Sequence, residues 1–549
     1  MMAKGTVTPG VRTSGGLVQG LYQDRNQIAV FKGIPYAASP VGPLRWQPPQ
    51  PVTPWEGVRP AAKYGPTAFQ LAVGFEDFMD ALVVGQGWSG LKTGGVKLLF
   101  KVLPKPKESE DCLYVNVRTP LLSSDGRLPV MVWIHGGDHQ DGSGGEIFYD
   151  SNALAHRGVV VVTINYRLGL MGYFAHPELS RESPHGVSGN YGTLDQIAAL
   201  RWVQENISAF GGDPDNVTIF GESAGGESVA HMLTSPLARG LFHKAIMESP
   251  GNSGQMLFLK QPFLNRPTLE ELGRDFATHL LGNNQNQLEQ LRQIPAATLY
   301  KKWRAVEEFH RFHPVVDGYA LPKTPPAAFR DGDQARVPLI VGSNADEGTL
   351  LFPIFPSPVA EFGRDEIQPA QIADLIRQEY GADANDLFAM YPGLEAGEER
   401  PSMALMGDSF FGAICDFYAA QAASAGQPVY NYFFTRTPPS ARQTAGAYHA
   451  AELTFVHGSK IPTFDYTPDD ETLSQIMGDY WTQFASHGDP NMPGRPAWPR
   501  YDTAVPQQMR LGIGNQLGAT DITRAAQYEI IQRRLHRLLD AMPQLQGAV

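Results

Sequence analysis

The sequence predicts an α/β fold in which a mostly parallel central sheet is flanked by helices. The main indication is a series of short apolar runs of strand length, at residues 113–117, 130–134, 159–164, 217–220, 244–247, 337–341 and 429–434. Between them, residues 194–205 and 224–233 carry apolar residues at helical spacing. Continuous apolar strands that alternate with helices are typical of a parallel sheet buried on both faces.

Helical patterns within residues 268–310 and 368–425 indicate insertions into this alternation. Residues 71–104 also differ from their surroundings, because their apolar residues are interspersed with glycines and then with lysines. They predict a pair of short helices that cover the core or, in a sharper hypothesis, an apolar cap over a ligand entrance. We expect residues 1–549 to form a single domain, with 71–104 as its candidate entrance.

Composition limits the possible partners. The chain has 549 residues, with 44 Lys and Arg against 56 Asp and Glu, which gives a formal net charge of −12. This acidic balance argues against nucleic acid as a partner, because phosphate binding needs clustered basic residues. No window reaches the roughly 18 apolar residues that a membrane span needs. No cluster of His, Cys and Asp has the spacing of metal ligands, so neither a metal nor another cofactor is expected.

The cysteine content indicates a reducing environment. Cys112 and Cys415 are the two cysteines and lie far apart, so the chain has no disulfide framework. The first residues contain no apolar segment typical of a signal peptide. We therefore expect a cytoplasmic location.

A Gly-x-Ser-x-Gly motif at residues 221–225 (GESAG) is the first indication of chemistry. The predicted strand 217–220 leads into it and the predicted helix 224–233 follows. Ser223 is then expected on a sharp strand-to-helix turn, in a strained backbone conformation at the top of the sheet. We predict Ser223 as a nucleophile, with the helix N-terminus adding partial positive charge beside it.

A serine nucleophile needs a base, and the base needs an acid that orients it. In this type of motif the acid and then the histidine follow the serine along the chain. The predicted strand 337–341 is followed by Asp346 and Glu347, at the end of the strand where ligands meet an open parallel sheet. The pattern alone does not choose between these two carboxylates.

The histidines that follow these carboxylates are His449, His457, His487 and His536. His449 comes shortly after the predicted strand 429–434, which is where a catalytic loop would lie. His457 ends an apolar run, His487 precedes a helix stop, and His536 lies in a basic helix, so structural or solvated roles are favoured for them. Position in the chain therefore favours His449 as the base.

The predicted strand 130–134 runs into residues 135–138 (HGGD), which have the form of a glycine-rich oxyanion-binding loop. Backbone N–H groups of this loop, together with the N–H of Ala224, would hold the negative oxygen of a tetrahedral intermediate. The alternative interpretation is an ordinary tight glycine turn after a strand, and the presence of the serine motif makes it less favoured.

These segments together resemble type B carboxylesterases, the esterase–lipase family of the α/β-hydrolase fold that also contains the cholinesterases. The similarity spans almost the whole chain and rests on segments 31–37 (FKGIPYA), 44–46 (LRW), 54–58 (PWEGV), 109–116 (SEDCLYVN), 189–192 (GNYG), 195–196 (DQ), 210–214 (FGGDP), 221–226 (GESAGG), 480–484 (YWTQF) and 488–491 (GDPN). The resemblance implies an α/β-hydrolase fold whose helical insertions form a cap around the active-site entrance.

The resemblance also implies the catalytic residues. Ser223 corresponds to the nucleophile and His449 to the base, and the family's acid is the glutamate that matches Glu347 rather than Asp346. These three residues would form a Ser-His-Glu triad.

Further roles follow from the same resemblance. Gly137, Asp138 and Ala224 would supply the oxyanion N–H groups. Glu222 and Ser249 would lie next to the triad, behind the reacting groups. Arg45 and Glu110 would form a structural ion pair.

Two positions depart from the family pattern. Asp138 stands where the family usually has Gly or Ala; its N–H survives, but its carboxylate must point away or find a partner, because negative charge would oppose an oxyanion. Cys112 matches a cysteine that often pairs with an upstream one, and residues 65–70 contain none. The missing disulfide fits an intracellular, microbial enzyme.

The implied function is the hydrolysis of small carboxylic esters through an acyl-enzyme intermediate. The alternatives are a specialised hydrolase of amides, carbamates or xenobiotic or toxin esters, and a non-catalytic member of the fold, which the retained triad disfavours. The apolar residues predicted to line the substrate pocket are Trp88, Leu350, Leu351, Phe352, Phe410 and Phe411. Together they favour an uncharged or apolar acyl or alcohol group.

Overall fold

A large mixed sheet carries the site in the computed structural model of this chain. The structure describes residues 6–25, 27–71, 80, 82–84, 86–102, 106–123, 125–251, 254, 256–283, 285–352, 354, 357, 368–437, 443–461 and 464–543. The strands are β1 (Val11–Thr13), β2 (Gly16–Gln19), β3 (Leu21–Gln23), β4 (Ile28–Pro35), β5 (Val58–Pro60), β6 (Tyr114–Thr119), β7 (Leu128–Ile134), β8 (Val160–Ile164), β9 (Gly212–Glu222), β10 (Lys244–Glu248), β11 (Leu339–Asn344), β12 (Val429–Phe434), β13 (Gln507–Leu511) and β14 (Gly518–Asp521).

The main sheet has 11 strands in the order β14-β13-β12-β11-β10-β9-β7-β8-β6-β4-β3, and β1, β2 and β5 form a separate small sheet. Neighbouring strands are parallel from β13 through to β8. The pairs at the two ends of the sheet are antiparallel. The predicted α/β class, with its mostly parallel sheet, is confirmed.

Helices cover both faces of this sheet. The α-helices are Gly90–Val102, Gly169–Tyr173, Pro177–Glu182, Tyr191–Asn206, Ala224–Thr234, Leu269–Leu281, Gln287–Gln293, Ala296–Arg304, Pro325–Asp331, Gly348–Leu351, Pro369–Tyr380, Ala384–Met390, Glu399–Gly407, Ala413–Ser424, Leu453–Val456, Pro468–His487 and Ala525–Asp540. A π-helical turn occupies Asp408–Gly412, and 3-10 turns lie at Gly42–Leu44, Ala155–Arg157, Ile207–Phe210, Pro236–Ala238, Glu307–Phe309, Gly381–Asp383 and Gly514–Gln516. Within the described ranges, no helix combines the length and the apolar character that crossing a membrane requires.

The central strands separate two apolar cores. Along β7, Val132 and Ile134 belong to one core cluster, whereas Met131 and Trp133 belong to the other. Successive side chains of a strand point to opposite faces, so each central strand supplies residues to both cores. Because both faces are covered, these strands are uniformly apolar instead of alternating with polar residues.

Both predicted insertions fold into helices, and most buried apolar residues of the second, within 368–425, join the first core cluster. The segment between β10 and β11 contains Leu269–Leu281, Gln287–Gln293 and Ala296–Arg304, whose apolar residues form a third core cluster. In the candidate entrance 71–104, the described residues include the helix Gly90–Val102. Residues 72–79 of that predicted segment lie outside the described residues.

The predicted ion pair between Arg45 and Glu110 is present. Arg45 Nε and Nη2 donate to the two carboxylate oxygens of Glu110 over 2.6 and 2.9 Å. Arg45 Nη1 also donates to the carbonyl oxygens of Leu291 and Ile294 over 3.0 and 2.7 Å. The bidentate pair fixes the direction of the Arg45 guanidinium, and its Nη1 then ties the N-terminal region to the insertion after β10.

Candidate active site

Ser223 lies on the tight turn that joins β9 to the helix Ala224–Thr234. Its backbone has φ 58° and ψ −126°, a conformation that a residue with a side chain rarely adopts. The turn needs small neighbours, because a Cβ on Gly225 would lie only 2.1 Å from the carbonyl oxygen of Ile134. The Ser223 N–H donates to the carbonyl oxygen of Glu248 over 2.9 Å, which fixes the turn against β10.

His449 follows β12, and its imidazole contacts the carboxylate that follows β11. His449 Nδ1 lies 2.6 Å from Glu347 Oε2, and both side chains are almost fully buried. Asp346, the competing carboxylate, has a different role: its Oδ2 accepts a hydrogen bond from the Ala447 N–H over 2.8 Å. The geometry therefore pairs the predicted base with Glu347 and uses Asp346 to hold the histidine loop.

The second oxygen of Glu347 is held in place by its own donors. Ser249 Oγ donates to Glu347 Oε1 over 2.6 Å, and the Asn344 N–H donates to the same oxygen over 2.7 Å. Ser249 follows β10 directly and has φ 43°. Hydrogen bonds to an ionised carboxylate are stronger than neutral ones, so this arrangement orients Glu347 toward His449.

Glu222 occupies the other side of the His449 ring. His449 Nε2 lies 3.1 Å from Glu222 Oε1. Among the contacts of the described residues, no hydrogen bond joins His449 to the Ser223 hydroxyl, although both residues line one cavity. Catalytic hydrogen bonds are often long or poorly aligned in unliganded enzymes and tighten with substrate.

Buried carboxylates change the titration of this group. Burial alone would lower the pKa of His449, but Glu222 and Glu347 raise it to about 9. Burial also raises the pKa of Glu222 well above the usual range for a glutamate. Burial likewise raises the pKa of Glu452, which accepts a hydrogen bond from Asn344, to about 7. The close pair of His449 and Glu222 therefore retains a proton to higher pH than an isolated imidazole would.

The glycine-rich loop, residues 135–140, follows β7 and lies beside the serine. Gly137, Asp138 and His139 all have positive φ, at 100°, 54° and 54°. In the described part of the chain, the N–H groups of Gly137, Asp138 and Ala224 have no hydrogen-bond acceptor. Three donors left without a partner beside Ser223 are what an oxyanion-binding site needs.

The carboxylate of Asp138 is paired with a histidine. Its Oδ2 lies 3.2 Å from His313 Nε2, which comes from the insertion after β10. Burial lowers the pKa of His313, but the charge and hydrogen bond of Asp138 outweigh this effect and raise it. The carboxylate is thus paired with an imidazole.

A cavity of about 480 Å³ connects these groups. Its walls include Ser223, His449, Glu222 and the glycine-rich loop, together with apolar residues from several insertions. Leu351, Phe410 and Phe411 line it as predicted, and the ring of Phe411 lies 4.5 Å from that of His449. From the predicted entrance segment, Leu71 and Leu82 line the cavity.

Three predicted pocket residues do not line this cavity. Trp88 packs edge-on against Phe464, with ring centroids 6.1 Å apart, next to the core. Leu350 belongs to the second core cluster, whereas its neighbour in sequence, Leu351, lines the cavity. Phe352 is also buried away from the cavity. Leu350 and Leu351 are neighbours on one short helix whose faces point to the core and to the cavity, so apolarity alone did not separate them.

The remaining histidines lie elsewhere. His457 is buried between the rings of Trp133 and Phe220, and burial lowers its pKa to about 3. The structural role predicted for His457 is therefore confirmed. His487 and His536 do not line the cavity. Among the described residues, no group of three or more His, Cys, Asp or Glu side chains is arranged to hold a metal ion.

Sequence reasoning missed several groups around the site. Asn344, Glu452 and Glu248 form a buried polar layer under Glu347 and His449. His139 contacts Ser228 over 3.1 Å and so ties the glycine-rich loop to the serine helix. The proximity of Glu452 to His449 in sequence was the one available signal; nothing in the sequence pointed to His313.

Comparison with known proteins agrees with this architecture. The model of the carboxylesterase family matches residues 7–531. The chain is 36% identical over 503 residues to a fumonisin B1 esterase of Sphingopyxis macrogoltabida, covering 89% of this chain and 84% of that protein. It is 38% identical over 506 residues to the para-nitrobenzyl esterase of Bacillus subtilis, covering 89% of this chain and 92% of that protein.

A solved structure of a PNB esterase superposes with a TM-score of 0.77 at 32% identity, covering 95% of this chain and 99% of that chain. Family model, sequence relatives and solved structure therefore agree over nearly the whole length. The predicted fold and the predicted ester-hydrolase class are confirmed. The chain belongs to the carboxylesterase family and has the α/β-hydrolase fold.

Proposed function

We propose that this carboxylesterase uses Ser223 as nucleophile, His449 as general base and acid, and Glu347 as the carboxylate that orients His449. The observation that carries the proposal is the convergence of these residues. They follow β9, β12 and β11, whose parallel C-terminal ends meet at one edge of the sheet. The 2.6 Å contact between His449 Nδ1 and Glu347 Oε2 is the base–acid contact that such a triad needs.

In the proposed reaction, neutral His449 leaves Glu222 and accepts the Ser223 hydroxyl proton while Oγ attacks the ester carbonyl carbon. The carbonyl π electrons move to oxygen and form a tetrahedral oxyanion. His449 then gives the proton to the alcohol oxygen as that bond breaks, which leaves an acyl-serine. Water, deprotonated by the same imidazole, attacks the acyl carbon and releases the carboxylic acid and Ser223.

The oxyanion is proposed to bind the N–H groups of Gly137, Asp138 and Ala224. Support comes from their lack of acceptors within the described structure and from the positive φ values of the loop. Backbone donors fixed before the reaction need no reorganisation when charge develops, which is why they stabilise the transition state.

The substrates are proposed to be esters with an uncharged acyl or alcohol group. Leu71, Leu351, Met406, Phe410 and Phe411 give the cavity an extended apolar wall. Leu71 and Leu82, which line the cavity, support a role of segment 71–104 at the entrance. Two of the relatives are named for different esters, so the acyl and alcohol preferences are to be measured on a panel.

The triad is tested with Ser223→Ala. We expect kcat/KM for a p-nitrophenyl ester to fall by about 10⁴-fold or more, with an unchanged unfolding midpoint, because only the reacting oxygen is lost. The matched control is Ser208→Ala, outside the cavity, which is expected to behave as the parent protein. A fluorophosphonate should label a peptide containing residue 223 in the parent and not in the variant. Full activity of Ser223→Ala would contradict the proposal.

A substrate panel compares the hydrolysis of esters with that of amides and carbamates. p-Nitrophenyl esters of increasing acyl length, matched anilides and carbamates, and fumonisin B1 should be compared by kcat/KM. Esters are expected to exceed anilides at every chain length, because the alcohol leaves more readily than an amine. Preference for an anilide or carbamate over its matched ester would contradict the proposed substrate class.

We also infer that the protein works in a reducing compartment. Both Cys112 and Cys415 are free and buried, and neither contributes a disulfide. Fractionation of producing cells should place the esterase activity with cytoplasmic markers, and activity confined to the medium would contradict this inference.

A further inference from the structure

The glycine-rich loop has a shape that other parts of the chain must hold. Gly137, Asp138 and His139 have φ values of 100°, 54° and 54° in succession. Left-handed backbone is costly for residues with side chains, and a consecutive series persists only where surrounding contacts over-determine it. Which contacts hold this loop therefore bears directly on where its N–H groups point.

One side of the loop is attached to the serine helix. His139 Nε2 lies 3.1 Å from the hydroxyl of Ser228, and this hydroxyl also donates to the carbonyl oxygen of Ala224 over 2.8 Å. This contact relates the loop to the residue that supplies the third N–H group.

The other side is attached to the insertion between β10 and β11. Gln140 Nε2 donates to the carbonyl oxygen of Phe312 over 3.0 Å, and Asp138 Oδ2 lies 3.2 Å from His313 Nε2. Phe312 is fully buried in the third core cluster, where it packs against Phe174 and Phe276. His313 therefore extends from a rigid base, and it can fix the loop in place.

The pair also concerns charge. The Asp138 side chain is 46% exposed, and Asp138 lines the cavity that also contains Ser223. A carboxylate without a partner at this position would repel a developing oxyanion a few ångströms away. A protonated His313 cancels that repulsion. The other titratable groups that face His313 are Glu227, whose charge also favours the imidazolium, and His139, which burial keeps neutral.

We propose that His313 is a positioning residue for the oxyanion site: it holds the glycine-rich loop through Asp138 and neutralises the carboxylate beside the oxyanion. The proposal rests on the proposed function of the loop. It assigns a catalytic consequence to the insertion after β10, which contacts the glycine-rich loop through this ion pair and through Phe312.

The test is a double-mutant cycle on the full-length protein with a p-nitrophenyl ester. His313→Gln should lower kcat by about 10- to 100-fold with little change in KM, because the amide carries no positive charge to balance the Asp138 carboxylate. Asp138→Ala should lower kcat less than His313→Gln does, because it releases the loop from His313 but leaves no unbalanced carboxylate beside the oxyanion. The double variant should return to within about threefold of Asp138→Ala, because the harmful charge is gone. His185→Gln, at an exposed site, is the control.

A purely structural role of His313 predicts the opposite: the double variant would be no better than His313→Gln. That result, or an unchanged kcat in His313→Gln, would overturn the proposal. If His313→Gln does not fold, Asp138→Asn decides. The ratio of its kcat to that of the parent should rise with pH, because the parent loses the imidazolium partner and the variant has no charge to expose. A flat ratio would overturn the proposal.

These outcomes are separable from failure of the proposed function. An inactive parent protein, or a fully active Ser223→Ala variant, would reject the triad itself. An active parent with an inactive Ser223→Ala and a fully active His313→Gln would reject only the positioning role.

Discussion

The sheet edge and the insertions are built differently, although both surround one cavity. At the sheet edge, Ser223, Ser249 and Glu347 follow β9, β10 and β11 closely, so strand register brings them together. His449 follows β12 on a longer loop that Asp346 holds. The insertions supply His313 and Phe410, whose positions depend on packing between segments distant in sequence. Chemistry is thus specified by local turns and specificity by long-range contacts.

The largest expected effect tests the sheet edge. Glu347→Gln should lower kcat/KM by about 10³- to 10⁴-fold, because an amide neither stabilises the imidazolium nor enforces the reactive tautomer. Asp346→Asn is the matched control: it keeps an oxygen acceptor for the Ala447 N–H and should lose less than about tenfold. Steady-state kinetics on both variants decide between the neighbouring carboxylates. Equal losses of kcat/KM in the two variants would contradict the assignment of Glu347 as the acid.

An intermediate effect concerns the pH dependence. The base must be neutral to act, and the pKa of His449 is raised to about 9 by Glu222 and Glu347 against the effect of burial. We therefore expect kcat/KM of the parent to rise with pH until the solution is alkaline.

Glu222→Gln removes one of these negative charges and should move the rising limb to lower pH, with higher kcat/KM at neutral pH. Profiles of kcat/KM from pH 6 to 10 measure the midpoint. An unmoved midpoint would show that Glu222 does not control the protonation of His449, and a shift to higher pH would reverse the assigned sign.

The smallest expected effect sharpens the role of the insertions. Phe410→Ala enlarges the cavity and should raise the preference for long over short acyl chains by a few-fold, about the effect of one to two methylene groups. Leu350→Ala, in the core and outside the cavity, should lower the unfolding free energy by about 2–5 kcal/mol without changing this ratio. Ratios of kcat/KM across acyl lengths and denaturant unfolding provide the two measurements.

Much of the sheet edge could be predicted because its signals are local. The apolar run at 429–434 is observed as β12 with the same bounds, and the predicted helix 224–233 is observed as Ala224–Thr234. The motif at 221–225 needs only a strand, a tight turn and a helix, all within one short segment. The choice of Glu347 over Asp346 required the family resemblance, because two adjacent carboxylates have the same pattern.

The pocket was harder to predict, for a physical reason. Leu350 and Leu351 are neighbours in sequence, yet one packs in the core and the other lines the cavity. Apolarity does not distinguish these fates, since both environments exclude water. The contact between Asp138 and His313 joins residues 175 positions apart. The sequence indicated that the Asp138 carboxylate needs a partner, but the packing of the insertion was required to identify that partner as His313.

The left-handed backbone at Asp138 has a practical consequence. In the proposed oxyanion site, position 138 acts through its backbone N–H, so its side chain can be replaced, with loss of the His313 contact, by one that accepts positive φ. A cysteine at position 138, converted to a thiocyanate, would place a vibrational probe beside the carbonyl of a bound substrate analogue. Its nitrile frequency would report the electric field at that point without any turnover.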